Sequence, residues 1–410
     1  MKYDDIQKLK SNEILRSEGI NYARVMATRL YTDDWIYTLK IIFLAIFYEV
    51  ALKYKNNNSS ILLSHTHNPD IRKDYDFIVK KLKKIIDTFN ELTLEKKINP
   101  LKVAGKMFDF FKLVFKNRKL NVGFSDLLRI SALELYFKKI FNKLDALEFD
   151  EQLYISFSDS NQEENLFAQY FVNKKIKTAT LQHGQYRYIK KGFEVADVEG
   201  YLNFVSDYFF AWGEKTRIEW SKAGIDSSRI LKLGALKEFT KKNTGKKHIK
   251  SNESFVVILG GDVYSKSNIR MIKIANEISK QYKFKYYLRL HPMNKISLYL
   301  KHTNSNYRGV LANQGVDFSI LHMTGVFVEM LSKSETFFVF EDDYTEEIFK
   351  LGLIKFNTLE DFSKKYNFLM NNKELFLNEM KNIYSEFNCA SSDEDLTKNY
   401  QNAIKNILVI

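Results

Sequence analysis

The sequence predicts an α/β fold of two lobes, and three observations carry that reading. Two short motifs, Leu-Gln-His-Gly at 181–184 and Leu-Arg-Leu-His-Pro at 288–292, each place a histidine just beyond an apolar, β-prone run. From about residue 150, strand-like and helix-like segments alternate, the grammar of βαβ units and of a parallel sheet. A polar Lys/Asn/Gly/Ser stretch, Lys237 to Glu253, separates two such runs. At 410 residues the chain is long for one core and sufficient for two.

Taken in order, the first ~150 residues read as helices, because 14–30, 34–54, 72–90, 101–117 and 125–145 carry apolar residues at three- and four-residue spacing. One strand, Ser60–Ser64, interrupts them and ends at a turn-like cluster, His65-Thr-His67-Asn-Pro69. Strand Leu153–Phe157, helix 162–174, strand Thr178–Leu181, strand Tyr208–Trp212, helix 214–223 and strand Ile230–Leu233 follow. Past the linker come Phe255–Asp262, helix 268–282, strand 284–290, a helix around 323–332, strand 335–340 and helices at 359–370, 373–386 and 393–409. The expected division is an N-terminal lobe over 1–240, helix-rich at first and α/β from about 150, a second lobe over 254–392, and a final helix over 393–410 returning towards the first lobe.

Composition bounds the function classes. Hydrophobic residues make up 45% and aromatics 15%, enough for packed interiors rather than disorder. The 63 Lys+Arg against 50 Asp+Glu leave a formal charge of +13, which suits an anionic partner. The basic residues are dispersed and no nucleic-acid-binding motif is visible, so nucleic acid is not the expected partner. One cysteine, Cys389, excludes an intramolecular disulfide and a multi-cysteine zinc site, which fits a cytoplasmic location. The most membrane-like stretch, Trp35 to Leu52, is broken by Lys40 and Glu49, and its longest uninterrupted apolar run, Ile41 to Tyr48, is too short to span; it reads as a core or interfacial helix.

The chemistry-bearing positions cluster in the second lobe. Gly260 and Gly261 allow backbone amides to approach a phosphate at a strand-to-helix turn, although neither the G-x-G-x-x-G nor the P-loop spacing is present. His322, Thr324 and Gly325 precede a helix, where a diphosphate is favoured, and Glu329 follows as an acceptor for ribose hydroxyls. Arg289 and His291 can stabilise charge on a departing nucleotide phosphate. His183 is a candidate general base, since a neutral imidazole can take a proton near pH 7. The Asp-x-Asp triplets Asp74–Asp76 and Asp393–Asp395 fall at helix starts, and Asp342-Asp343 is a weaker acidic pair, so no metal ion is required.

The Gln-His-Gly, the Arg-Leu-His-Pro and the Ser/His…Thr-Gly…Glu helix start resemble bacterial GT-B transferases of cell-surface polysaccharides: polysialyltransferases, CDP-glycerol glycerophosphotransferases and capsule Kdo transferases. The resemblance covers roughly residues 150–345. It implies two Rossmann-type lobes facing a cleft, with His183 near the acceptor as general base and His291 on the nucleotide phosphates. It likewise places Thr324 on phosphate and Glu329 on ribose. The expected activity is a glycosyltransferase, or a glycerol- or polyol-phosphate transferase, building capsule, teichoic acid or lipopolysaccharide. Its donor would be CMP-, CDP- or UDP-linked, its acceptor a glycan or lipid-linked glycan, and its location the cytoplasm, peripheral at the inner face of the membrane. The alternatives are a sugar-nucleotide epimerase, separable because its product forms without an acceptor, and an inert GT-B-like scaffold.

Overall fold

The computed structural model describes residues 1–31, 34–65, 72–185, 199–237, 254–261, 264–291, 294–310, 316–343, 345 and 354–409. The chain divides into two compact units, Met1–Lys237 with Cys389–Ile410, and Glu238–Asn388. Residues 238–253 of the expected linker lie outside the described residues, as do 66–69 of the His65–Pro69 cluster, Asp262 and Pro292.

The first unit opens with helix Tyr3–Lys10 and then departs from the helix expected over 14–30. A 3-10 turn, Glu13–Leu15, leads into a two-stranded antiparallel hairpin, β1 (Arg16–Ser17) and β2 (Ile20–Asn21), followed by a five-residue helix, Tyr22–Met26. The cause is local: Glu18 and Gly19 both take positive φ (54° and 76°), which reverses the chain between β1 and β2. Asn21 then starts the short helix by accepting from the Arg24 amide at 3.2 Å.

The segment 34–54 is likewise not one helix. Helix Trp35–Phe47 gives way to β3 (Tyr48–Lys55), which pairs antiparallel with β5 (Asn90–Ile98) over eight residue pairs. Strand β4 (Ile61–His65) and helix Arg72–Ile85 intervene. The helix expected to reach residue 90 therefore ends five residues early. β5 alternates buried Asn90, Leu92 and Leu94 with more exposed neighbours, a period of two rather than 3.6. Helices Val103–Asn117 and Phe124–Asp145 stand close to their expected bounds.

Strands β6 (Leu153–Ser156), β7 (Lys177–Leu181), β8 (Tyr208–Ala211) and β9 (Ile230–Lys232) complete this sheet, whose order is β3-β5-β4-β6-β7-β8-β9, all parallel except β3. Helices Gln162–Asn173 and Glu214–Lys222 supply crossovers. The last helix, Asp393–Val409, packs on helix Arg72–Ile85 through Lys81–Asp393 (2.9 Å) and Gln401 Nε2 to the Ile85 carbonyl (3.0 Å). Tyr400, Ile404 and Ile407 share a core with Ile78 and Leu82.

In the second unit, β10 (Ser254–Ile258), β11 (Lys285–Arg289), β12 (Tyr307–Val310), β13 (Phe318–Leu321), β14 (Phe337–Phe340) and β15 (Lys355–Phe356) form a sheet in the order β12-β11-β10-β13-β14-β15. Every described pairing in it is parallel. β10 and β13 are buried throughout, as strands covered on both faces must be. Helices Ser265–Tyr282, Val326–Ser332, Leu359–Asn371 and Lys373–Phe387 accompany it. Stacked rings, Phe255 on Phe318 at 5.0 Å and 5°, bind the sheet centre.

Candidate functional site

Numbered along the chain, the second sheet runs third, second, first, fourth, fifth, sixth. That order reverses direction between β10 and β13, and a parallel α/β sheet opens a crevice beyond its strand ends at such a switch point. Gly260 and Gly261 follow β10, His291 follows β11, and His322–Gly325 follow β13. A Cβ at Gly260 would lie 3.2 Å from the Met323 carbonyl oxygen and 3.2 Å from Tyr264 Cδ2, so glycine is what lets the loops after β10 and β13 approach.

Asn268 fixes that turn from both sides: its Oδ1 accepts from the Gly260 amide and its Nδ2 donates to the Gly260 carbonyl, each at 3.0 Å. Asn294 Nδ2 donates to the same carbonyl at 2.9 Å, tying the loop after β11 to the glycine turn. The His291 ring stands beside Gly261, 3.8 Å from where a Cβ would be. Gly260, Gly261, His291 and the Met323–Gly325 loop are thus brought together; Asn268 and Asn294, which hold them, carried no signal in the sequence.

Other expected residues are placed differently. His322 is fully buried, with Nε2 at 3.1 Å from Asp342 Oδ1 and 3.2 Å from Thr345 Oγ1, against the rings of Tyr264 and Phe340. It ties the end of β13 to the end of β14, with its side chain buried rather than facing an open surface. The helix after Gly325 spans seven residues, Val326–Ser332, and the Thr324 hydroxyl already accepts from the Val326 amide at 3.4 Å. So short a helix adds little macrodipole to the turn. Glu329 pairs with Lys333 at 2.6 Å and remains one-third exposed. Arg289, the last residue of β11, is half-buried, and its carbonyl accepts from the Leu259 amide at 3.0 Å. Asp342 also faces Arg270 at 3.6 Å, whereas the Asp343 side chain is exposed. Among the described residues no three His, Cys, Asp or Glu side chains are grouped to hold a metal ion.

In the first unit the motif at 181–184 sits at the end of β7, and Gln182 organises it. Its Oε1 accepts from the Trp212 amide at 2.7 Å, its Nε2 donates to the Gly184 carbonyl at 2.9 Å, and its own carbonyl accepts from Trp212 Nε1 at 2.9 Å. His183, partly exposed, stacks on Phe157 at 5.0 Å and 29°. Phe157 begins the turn after β6, which a buried polar network holds. The Asp159 carboxylate accepts from the Val205 and Ser206 amides at 2.9 and 2.7 Å. Glu164 accepts from the Ser158 amide, and Asn165 Nδ2 donates to the Asp159 carbonyl at 2.7 Å. Burial pushes Glu164 up to about 8, Asp159 and Glu163 adding repulsion against the Ser158 hydrogen bond; burial likewise raises Asp159.

Two parallel-sheet units, the second in the dinucleotide-binding strand order, define a GT-B-like α/β protein. Solved structures that share the fold include the following three. The UDP-GlcNAc 2-epimerase of Neisseria meningitidis, bound to UDP-GlcNAc, is 15% identical, with 84% of this chain and 99% of that one covered and a TM-score of 0.50. A Listeria monocytogenes protein assigned as a UDP-N-acetylglucosamine 2-epimerase is 12% identical, covering 85% and 96%, at 0.53. Staphylococcus aureus MnaA in complex with UDP is 11% identical, covering 85% and 96%, at 0.50. No protein-family model matches the sequence, and no curated protein matches it significantly.

At these identities the likeness is one of fold. It corrects the expected glycosyltransferase activity, because the structures that share the fold include epimerases of a sugar nucleotide, enzymes that are not glycosyltransferases.

Proposed function

We propose that the protein is a sugar-nucleotide epimerase acting on a UDP-linked N-acetylhexosamine for cell-surface polysaccharide synthesis. The observation that carries the reading is the switch point between β10 and β13, where Gly260 lets the loops after both strands approach and His291 stands beside Gly261. In this reading the Gly260 and Gly261 turn and His291 receive the diphosphate, with Thr324 beside them. Glu329 meets the ribose, since a carboxylate paired with one lysine keeps further acceptor positions. His183 is the proton-transfer residue, held at a strand end with its ring partly exposed. Arg289 adds positive charge in the same unit as the nucleotide. The substrate is the nucleotide sugar itself, and no cofactor or metal enters the scheme.

The test dispenses with any acceptor. Purified protein is incubated with UDP-GlcNAc in D2O and followed by proton NMR. A second UDP-N-acetylhexosamine carrying deuterium at C2 is the expected product. Calorimetric binding of UDP-GlcNAc without conversion would instead mark an inert scaffold and overturn the catalytic reading. Thermal shifts with CMP, CDP, UDP and GDP rank the nucleotide, because a ligand of the native state stabilises it more the further its concentration exceeds its dissociation constant; UDP is expected to lead.

A further inference from the structure

Two neighbouring helices of the first unit, Trp35–Phe47 and Val103–Asn117, carry their largest apolar side chains on the outside. On the second helix, Phe108, Phe111 and Phe115 are 72, 58 and 73% exposed. They fall on one stripe at spacings of three and four, opposite the stripe of buried Lys106, Phe110, Leu113 and Asn117. On the first, Trp35, Ile36, Leu39 and Phe43 are 45–63% exposed, while Thr38, Ile41 and Ala45 face inward. The two helices touch each other and both pack on helix Phe124–Asp145, so their outward faces form one surface. Phe124, 70% exposed, adds to it. Taking roughly 200 Å² for each aromatic side chain, the six exposed rings alone present on the order of 700 Å². That exceeds the ~300–600 Å² patch of an ordinary monomer surface.

Charge selects the occupant. The exposed charged residues of this face are Lys40, Lys102, Lys112, Arg118 and Lys119 against Asp34 and Asp109. A symmetric contact between two copies would set cations against cations. Aromatic and aliphatic side chains mixed with an excess of lysine and arginine form the composition of helices that lie in a bilayer interface. No helix among the described residues is long and apolar enough to cross a membrane, so the face would rest on the bilayer rather than span it. We propose that this face docks onto a bilayer surface bearing anionic lipid headgroups, a property separate from the epimerase reading and independent of it.

The full chain is sedimented with vesicles of phosphatidylcholine alone and of phosphatidylcholine with about 30% phosphatidylglycerol. Partitioning at least about tenfold stronger to the anionic vesicles, weakening with salt, is expected. The exposed-ring variant F108S/F111S/F115S should lose about tenfold or more on those vesicles. The charge variant K102Q/K112Q/K119Q should bind both vesicle types alike. Wild-type protein that binds neither vesicle, or ring and charge variants that bind as wild type does, overturns the proposal. A stable dimer in sedimentation equilibrium, converted to monomer by the ring variant while vesicles bind nothing, overturns it in favour of a second copy.

Discussion

The carboxyl ends of the two sheets are built by different means. In the first unit, side chains fasten the loops: Gln182 spans from β7 to Trp212 beyond β8, and Asp159, Glu164 and Asn165 are buried acceptors and donors beneath the turn after β6. In the second unit side chains also fasten loops, as His322 does with Asp342, but at the turn after β10 the absence of a side chain decides, since Gly260 lets two loops meet while Asn268 and Asn294 hold its peptide groups. The first arrangement holds a titratable ring in one orientation. The second removes the Cβ atoms from a turn that an anion can approach, with the Gly260 amide itself already donating to Asn268.

The comparison is broken most severely at His183. On the proposed reading, His183→Ala is expected to lower epimerisation by about 10²–10⁴-fold while UDP affinity by calorimetry stays within about threefold, because that reading assigns the nucleotide contacts to residues of the other unit. Turnover retained in a folded variant would remove His183 from the chemistry. Next comes Gly260→Val, which forces a branched side chain against the Met323 carbonyl. UDP binding should weaken at least about tenfold and stability fall by about 1–3 kcal/mol in urea titration. Gly261→Ala, whose Cβ meets the His291 ring at an ordinary 3.8 Å, should leave stability within about 0.5 kcal/mol. Equal behaviour of the two variants would mean that close approach at Gly260 is not what shapes the crevice.

Gln182→Leu tests whether side-chain fastening matters in the first unit. It strands the buried Trp212 amide, at a cost of about 1–3 kcal/mol, and should lower kcat more than it changes the affinity for UDP. The smallest effect is a change of slope. Burial raises Glu164 to about 8 in the folded chain, against an unfolded value near ~4.3, so the folded state binds this proton more tightly. Its contribution to stability is whole below about 4.3 and is lost as pH rises through about 8. Glu164→Gln should flatten urea midpoints over that window, gaining on wild type as pH rises. Parallel pH profiles would show that Glu164 is ionised throughout.

Much of the architecture was legible before any coordinates. The apolar runs at 153–156, 177–181, 208–211 and 337–340 stand where the alternation of strand and helix placed them, whereas β13 at 318–321 was not expected as a strand. The first hundred residues were harder to read. β3 is a partly exposed edge strand that satisfies its backbone groups by pairing with β5 across some forty intervening residues, and β5 pairs with β4 on its other side, so the signal for each lies in a distant partner. Trp35–Phe47 and β3 run together as one apolar stretch, and composition alone does not say where the period changes from 3.6 to two.

The sequence by itself determined the local features: strand ends marked by histidine and glycine, a glycine pair after β10, and helix starts rich in carboxylates at Asp393–Asp395. Tertiary structure decided what each of those residues touches. His291 and His322 look alike in sequence, each just past an apolar run. One stands beside the Gly261 turn, and the other is sealed under Tyr264 and Phe340 and bound to Asp342, twenty positions away. The physical reason is that backbone periodicity depends on neighbours a few residues apart. Burial and hydrogen-bond partners, by contrast, depend on which strands the sheet places side by side.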